Sequence, residues 1–169
     1  LQYTKSESNA LEMNLAFKII ISIVVCLGLG FLSGYYAGSA NTAWYQALNK
    51  PFFQPPPSIF APAWTLLYTL IGVAFALVWD NKSVSDGRRT EAMMFFLFQL
   101  ALNLLWSPIF FKLQAPTASL IVIINLVFLV IITMSKFKKV EPRAFWLMVP
   151  YLCWICFATL LNAAIVYLN

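Results

Sequence analysis

Charged and polar positions break this chain into five long apolar runs. Read from their spacing, the runs are roughly Ile19–Gly38, Ser58–Trp79, Ala92–Phe111, Thr117–Ser135 and Phe145–Leu168. Each has about 20 residues, the length an α-helix needs to cross a hydrocarbon core. Helices satisfy their own backbone groups, which lipid cannot do. The pattern therefore predicts an all-α integral membrane protein. Its fold would be a five-transmembrane-helix bundle, one domain over residues 13–169, with almost nothing outside the bilayer.

The stretch between the first two runs does not fit that period. It is rich in proline (Pro51, Pro55, Pro56, Pro57, Pro62) and carries Trp44, Tyr45, Phe52, Phe53 and Phe60. Each proline fixes φ and removes a backbone donor, so the segment is stiff and irregular. Large rings on a stiff loop at the mouth of a bundle predict a lid. Ser58 is the expected N-cap of the second helix, with Pro62 tolerated in its first turn.

Polar and small residues inside the spans mark faces. Ser22, Cys26, Gly30, Gly34 and Gly38 recur every four residues in the first span. They form a groove that lets another helix approach, either within the bundle or across a homodimer seam. Gly72 and Ala76 repeat the device weakly in the second span, where Trp64 and Tyr68 are spaced to stack. Gln99, Asn103 and Ser107 form a polar stripe in the third. Amides at membrane depth need partners, so the stripe faces other helices, a ligand cavity or both. Pro108 frees the carbonyl of Leu104 and is expected to kink this helix. The turn from Lys112 to Pro116 makes the third and fourth helices antiparallel neighbours. The fourth span is aliphatic and reads as scaffold or lipid-facing wall, with Asn125 as a structural amide. In the fifth, Pro150 predicts a kink, and Tyr151, Trp154, Ala158, Leu161 and Asn162 share a broad face.

Composition agrees with the pattern. Hydrophobic residues make up 62% and charged residues 10%, against about half and about a quarter in soluble domains. The first twelve residues, LQYTKSESNALE, are polar and read as a tag or cloning remnant ahead of Met13. In a five-span arrangement Lys18, Lys82, Arg88, Arg89, Lys136, Lys138, Lys139 and Arg143 fall on one side, and Lys50 and Lys112 on the other. That bias predicts a cytoplasmic N-terminus, with the first loop and the C-terminus opposite. The net charge of +5 is then a topology signal with an anionic-lipid contact as a corollary, and no nucleic acid is expected as a partner.

Conventional catalysis has no visible apparatus. There is no histidine, and the six acids lie in the N-terminal tail or the turns on the basic side. No metal or other cofactor is required on this reading. Cys153 and Cys156 form a C-x-x-C, but within an apolar helix and without a second pair they are expected to be buried and inert. What is left is an aromatic cavity with a few amides, suited to a large, flat, apolar ligand.

Four motifs carry a resemblance. They are W-Y-x-x-L-x-K-P from Trp44 to Pro51, F-x-P-x-W-T-x-L-Y from Phe60 to Tyr68, Q-L-x-L-N-x-x-W-S-x-x-F-F from Gln99 to Phe111, and P-Y-L-x-W-x-x-F-A-T-x-L-N from Pro150 to Asn162. In this order they resemble the translocator protein family, also called the tryptophan-rich sensory protein or peripheral-type benzodiazepine receptor family. The resemblance implies a five-helix bundle, often a homodimer, with a pocket beneath the first loop. Its ligands would be porphyrins such as protoporphyrin IX, and isoquinoline carboxamide or benzodiazepine-like drugs. By motif position the pocket would use Trp44, Tyr45, Pro55, Trp64, Tyr68, Gln99, Asn103, Trp106, Trp154, Ala158 and Asn162. The resemblance also implies an alternative, light-dependent porphyrin breakdown, in which Trp64 and Trp154 would be the catalytic residues. Animal members carry a cholesterol-recognition pattern at the end of the fifth helix. Here Ala163, Ala164 and Tyr167 depart from it, which argues against cholesterol as a natural ligand and, with the compact length, favours a bacterial member.

Overall fold

A computed structural model describes residues 14–38 and 42–169. The expected tag at residues 1–12 lies outside the described residues. Five helices are long and apolar enough to cross a membrane. They are α1 (Leu15–Ala37), α3 (Pro57–Asp80), α4 (Asp86–Ser107, running on as a π-helical turn through Pro108–Lys112), α5 (Pro116–Val140) and α6 (Pro142–Leu168). A short α2 (Ala43–Ala47) lies in the loop between the first two spans. Several spans run past the apolar limits read from sequence, because charged residues beyond the hydrocarbon core continue a helix at no desolvation cost.

Local chemistry sets the ends. Asn14 caps α1 by accepting from the Phe17 N–H at 2.8 Å. Helix α3 starts at Pro57, one residue before the expected N-cap, and Pro56 rather than Ser58 holds the cap position, without a side-chain bond. Proline at the first helical position has no N–H to satisfy and a φ already suited to the helix, so no side-chain cap is needed. At Pro108 the helix passes into the π turn, with the Leu113 N–H donating to the Pro108 carbonyl at 3.0 Å. The carbonyl of Leu104, which has no N–H at Pro108 to accept from, receives the hydroxyl of Ser33 from α1 at 2.6 Å. The proline thus turns a backbone defect into an interhelical tie.

Around the bundle α1 packs on α3, α3 on α6, α6 on α5, α5 on α4, and α4 touches α1 to close the ring. Small residues set the closest approach. A Cβ added to Gly72 would stand 2.9 Å from the Ile23 Cα, and one added to Gly30 would collide with the edge of the Tyr68 ring. At least part of the glycine groove of α1 is therefore filled by α3 of the same chain. The core is aromatic and aliphatic, with Phe96 and Phe137 stacked at 5.8 Å. The outward faces are apolar, as in Ile20, Val24, Phe31 and Phe128, which suits lipid as the solvent.

Cys153 and Cys156 are exposed on α6 rather than buried. The inward face of that helix is set by Tyr151, Ile155, Ala158 and Asn162, at helical spacing. Positions 153 and 156 fall off that face, which apolar character alone does not reveal in a lipid-facing helix. Asn125 is exposed as well and donates to the Ile121 carbonyl of its own helix at 2.8 Å.

One end of the bundle is laced by charge. Lys18 meets Asp80 at 2.8 Å, Lys136 meets Glu91 at 2.6 Å, and Arg143 meets Glu141 at 2.8 Å. The hydrogen bond from Arg143, with its charge, holds the Glu141 carboxyl below the usual carboxylate range. The proline-rich loop covers the other end.

Candidate functional site

The loop is held as a lid by both of its halves. Thr42 caps α2, its hydroxyl accepting from the Tyr45 N–H at 3.3 Å. That turn drives Tyr45 inward against Phe111, with ring centroids 5.3 Å apart, while Trp44 meets the edge of Phe110 at 5.8 Å. Burial raises the pKa of the Tyr45 phenol, so it stays a hydroxyl. Further along, Phe53 leans on Phe157 of α6 at 6.4 Å. Asn49 and Asn169 form a clasp. The Asn49 N–H donates to the Asn169 side-chain oxygen at 2.9 Å, and the Asn169 amide donates back to the Asn49 carbonyl at 3.1 Å.

Beneath the lid is a cavity of about 630 Å³ lined by α1, the lid, α3, α4 with its π turn, and α6. No residue of α5 lines it, in keeping with the scaffold role read from its aliphatic sequence. Trp64 stacks on Tyr68 at 5.4 Å and meets Trp154 edge to face at 6.3 Å. Phe60 packs on Trp154 at 5.9 Å. A side cavity of about 530 Å³ adjoins it and shares Gly34, Ala61, Trp64, Trp106 and Ser107.

A family model, the TspO/MBR family, matches residues 22–168. The chain is 43% identical to the tryptophan-rich protein TspO of Archaeoglobus fulgidus, over 90% of this chain and 97% of that protein. It is 40% identical to the tryptophan-rich protein TspO of Chlorobaculum tepidum, over 90% and 98%, and 32% identical to the translocator protein of Bos taurus, over 79% of each. The chain belongs to the TspO/MBR family. It is a multi-pass integral membrane protein, as its five spans require.

In this TspO/MBR chain, seven of the eleven expected pocket residues line the main cavity: Tyr45, Pro55, Trp64, Trp106, Trp154, Ala158 and Asn162. Tyr68 and Asn103 line the side cavity. Trp44 and Gln99 line neither. Trp44 is spent on Phe110, and Gln99 is fully buried between helices.

The amides are mostly occupied by protein. Tyr68 donates to Asn103, and Tyr151 donates to Gln99 at 2.8 Å. Asn162 accepts from the Trp106 indole at 3.0 Å, lies 2.9 Å from the Ser119 hydroxyl, and donates to the Pro116 carbonyl at 2.9 Å. Of the two readings of the polar stripe, interhelical bonding accounts for Gln99 and Asn103. Besides the Gln99 amide nitrogen, two groups of the cavity lining are left open. The Trp154 indole N–H and the Gln54 side-chain oxygen are buried without a hydrogen-bond partner among the described residues. Lys50 also lines the cavity. Gln54 and Lys50 were not among the expected site residues. Lys50 stands inside the first quoted motif, but there it had weight only as a topology charge.

Cutting the clasp should free the lid. In Asn169→Ala, amides from Asn49 to Gln54 should exchange with solvent about tenfold faster, the effect of roughly 1–1.5 kcal/mol of lost hydrogen bonding. The melting temperature should hardly move. Unchanged exchange would mean that the rings alone hold the lid.

Proposed function

We propose that this chain is a membrane receptor or sensor for flat porphyrin-type tetrapyrroles, taken up in the cavity beneath the lid. The observation that carries the proposal is the cavity, whose volume of about 630 Å³ falls within the range of about 300–1,000 Å³ typical of small-molecule sites. Its walls include Trp64, Trp106 and Trp154, so a flat conjugated ring system finds aromatic faces and edges around it. The same walls suit isoquinoline carboxamide and benzodiazepine-like drugs. Transport of the bound ligand would be an extension of the same site. The proposal includes a homodimer. It also places the basic end and the N-terminus on the cytoplasmic side and the lid opposite, supported by the bias of Lys and Arg.

A second reading has its own support. Trp64 and Trp154 touch, and both line the cavity, so an excited porphyrin would have a pair of electron-rich indoles beside it. On that reading the chain breaks down porphyrin in light.

Titration with protoporphyrin IX in the dark, followed by illumination of the same sample, tests both. Saturable tryptophan quenching with a stable spectrum is the result expected of a receptor. No saturable quenching at micromolar porphyrin would overturn the proposal. Conversion to a new absorbing product, faster with this protein than with Trp64→Phe, would establish the enzyme instead.

A further inference from the structure

Helices α1 and α3 are in close contact at Gly72 against Ile23 and again at Gly30 against Tyr68. One turn nearer the lid they have parted, and a Cβ on Gly34 would meet nothing within 4 Å. The side cavity of about 530 Å³ occupies this opening, with Phe31 and Tyr35 of α1 and Ala61 and Thr65 of α3 in its lining.

The mouth of this cavity faces lipid. Phe31 and Tyr35 are 73% and 80% exposed, and Ala61 and Thr65 are exposed too. Phe31 continues the outward apolar face of Ile20 and Val24, so the opening is continuous with the surface that the bilayer wets. Phe31 and Tyr35 stack on each other at 6.3 Å and, being so exposed, flank the opening rather than plug it. Thr65 lies about two turns into α3, and Phe31 about two turns before the end of α1. That is roughly 10 Å below the lid end, at the depth of lipid chains rather than headgroups.

Polar groups of the wall are spent on protein. The Ser33 hydroxyl donates to the Leu104 carbonyl at 2.6 Å, and that of Thr65 to the Ala61 carbonyl at 2.8 Å. Tyr68 donates to Asn103, and the Trp106 indole to Asn162 at 3.0 Å. The buried side-chain atoms without a partner among the described residues belong to Ser22, Gln54, Gln99 and Trp154, and none of these lines the side cavity. Water needs several polar partners to stay in a cavity, and these walls have few to give. Left empty, the walls would forfeit their dispersion contacts. Hydrocarbon restores those contacts, and it is the solvent at the mouth.

We propose that the side cavity is a binding site for one acyl chain of a membrane lipid, which enters between α1 and α3 from the lid-side leaflet. This goes beyond the porphyrin reading and does not depend on it. Gly34, Trp64 and Trp106 line both cavities, so the end of the chain lies beside whatever the lid cavity holds. The purely structural alternative is a packing gap that lipid passes over without entering.

Phosphatidylcholine with a diazirine in mid-chain tests the site. The full chain would be reconstituted with it in vesicles and photolysed, and the labelled residues mapped by mass spectrometry. Tyr68, only 8% exposed, and Trp106 should be labelled along with the outward-facing Val24 and Phe128. Thr65→Phe narrows the mouth from an exposed position whose hydroxyl bonds only within its own helix. It should lose the labels on Tyr68 and Trp106 and keep those on Val24 and Phe128. Asn125→Phe, on the exposed face of α5, should keep all four. Labelling confined to outward residues in the unmodified chain, or inner labels that survive Thr65→Phe, would overturn the site. Inner labels that appear only on dilution into excess lipid would overturn it too, by assigning the mouth to a second copy of the chain. Should Thr65→Phe fail to fold, Gly34→Leu fills the neck between the cavities and should lose the label on Trp106, and its persistence there would count equally against the site.

Discussion

Gly34→Leu should abolish porphyrin binding and leave the bundle at least as stable as before. Gly34 lines both cavities, and nothing lies within 4 Å of the place where its Cβ would stand. A side chain there enters space that the ligand is proposed to fill, without pressing on the protein. Leucine in place of glycine within a helix should favour folding by about 0.8 kcal/mol. Loss of the room for one edge of a ring system should weaken binding at least about a hundredfold, roughly 2.7 kcal/mol. Porphyrin absorbance titrations and thermal melts of the same preparation measure the two effects. Unchanged affinity would remove the cavity from the binding reading. If the variant instead changes from dimer to monomer with its affinity intact, Gly34 belongs to a seam between copies.

Asn162→Leu should be the most damaging of the amide substitutions, lowering stability by about 2–4 kcal/mol. Asn162 is 1% exposed and joins three helices through Trp106, Ser119 and the Pro116 carbonyl. Leucine fills a similar volume but leaves the indole N–H and the carbonyl with one partner fewer at a part-buried site. Each buried group left unpaired costs roughly 1–3 kcal/mol, and interhelical bonds in bilayers average about 0.6 kcal/mol, so the total lies between those limits. Ser119 is partly insured, because its hydroxyl is also 2.8 Å from the Pro116 carbonyl. Gln99→Leu should cost less. Gln99 makes one bond, to Tyr151, and its amide nitrogen is already unpaired. Asn125→Leu, on the exposed face of α5, should be close to neutral. Thermal unfolding of the three variants in one lipid or detergent gives the ranking, and Asn125→Leu as costly as Asn162→Leu would contradict it.

Different kinds of residue were legible to different degrees. Trp64, Trp106, Trp154 and Ala158 could be placed in a pocket from their motifs, since large rings at helical spacing have few places to go in a bundle. Trp44 could not be placed so well. It is in the lid, but the turn capped by Thr42 sends Tyr45 into the cavity lining and leaves Trp44 against Phe110. Gln99 fails as a pocket residue for a different reason. It is two turns of helix from the cavity residue Trp106, and Tyr151 reaches it first. Cys153 and Cys156 were misplaced because in a membrane protein both the core and the outer surface are apolar, so hydrophobicity no longer separates inside from outside.

Sequence by itself determined the number of spans, their chain order, the presence of a stiff lid and the family. These depend on length, periodicity and proline, which are local properties of the chain, and on motifs that stand in one order. Only the tertiary structure decided which polar groups are free. Whether an amide faces a ligand or a neighbour depends on side chains 35 to 56 positions away, as with Tyr68 and Asn103 or Trp106 and Asn162. The same holds for Lys50. Its place in the cavity lining becomes visible only when the loop is seen folded over the bundle, since lining a cavity is a matter of distance in space.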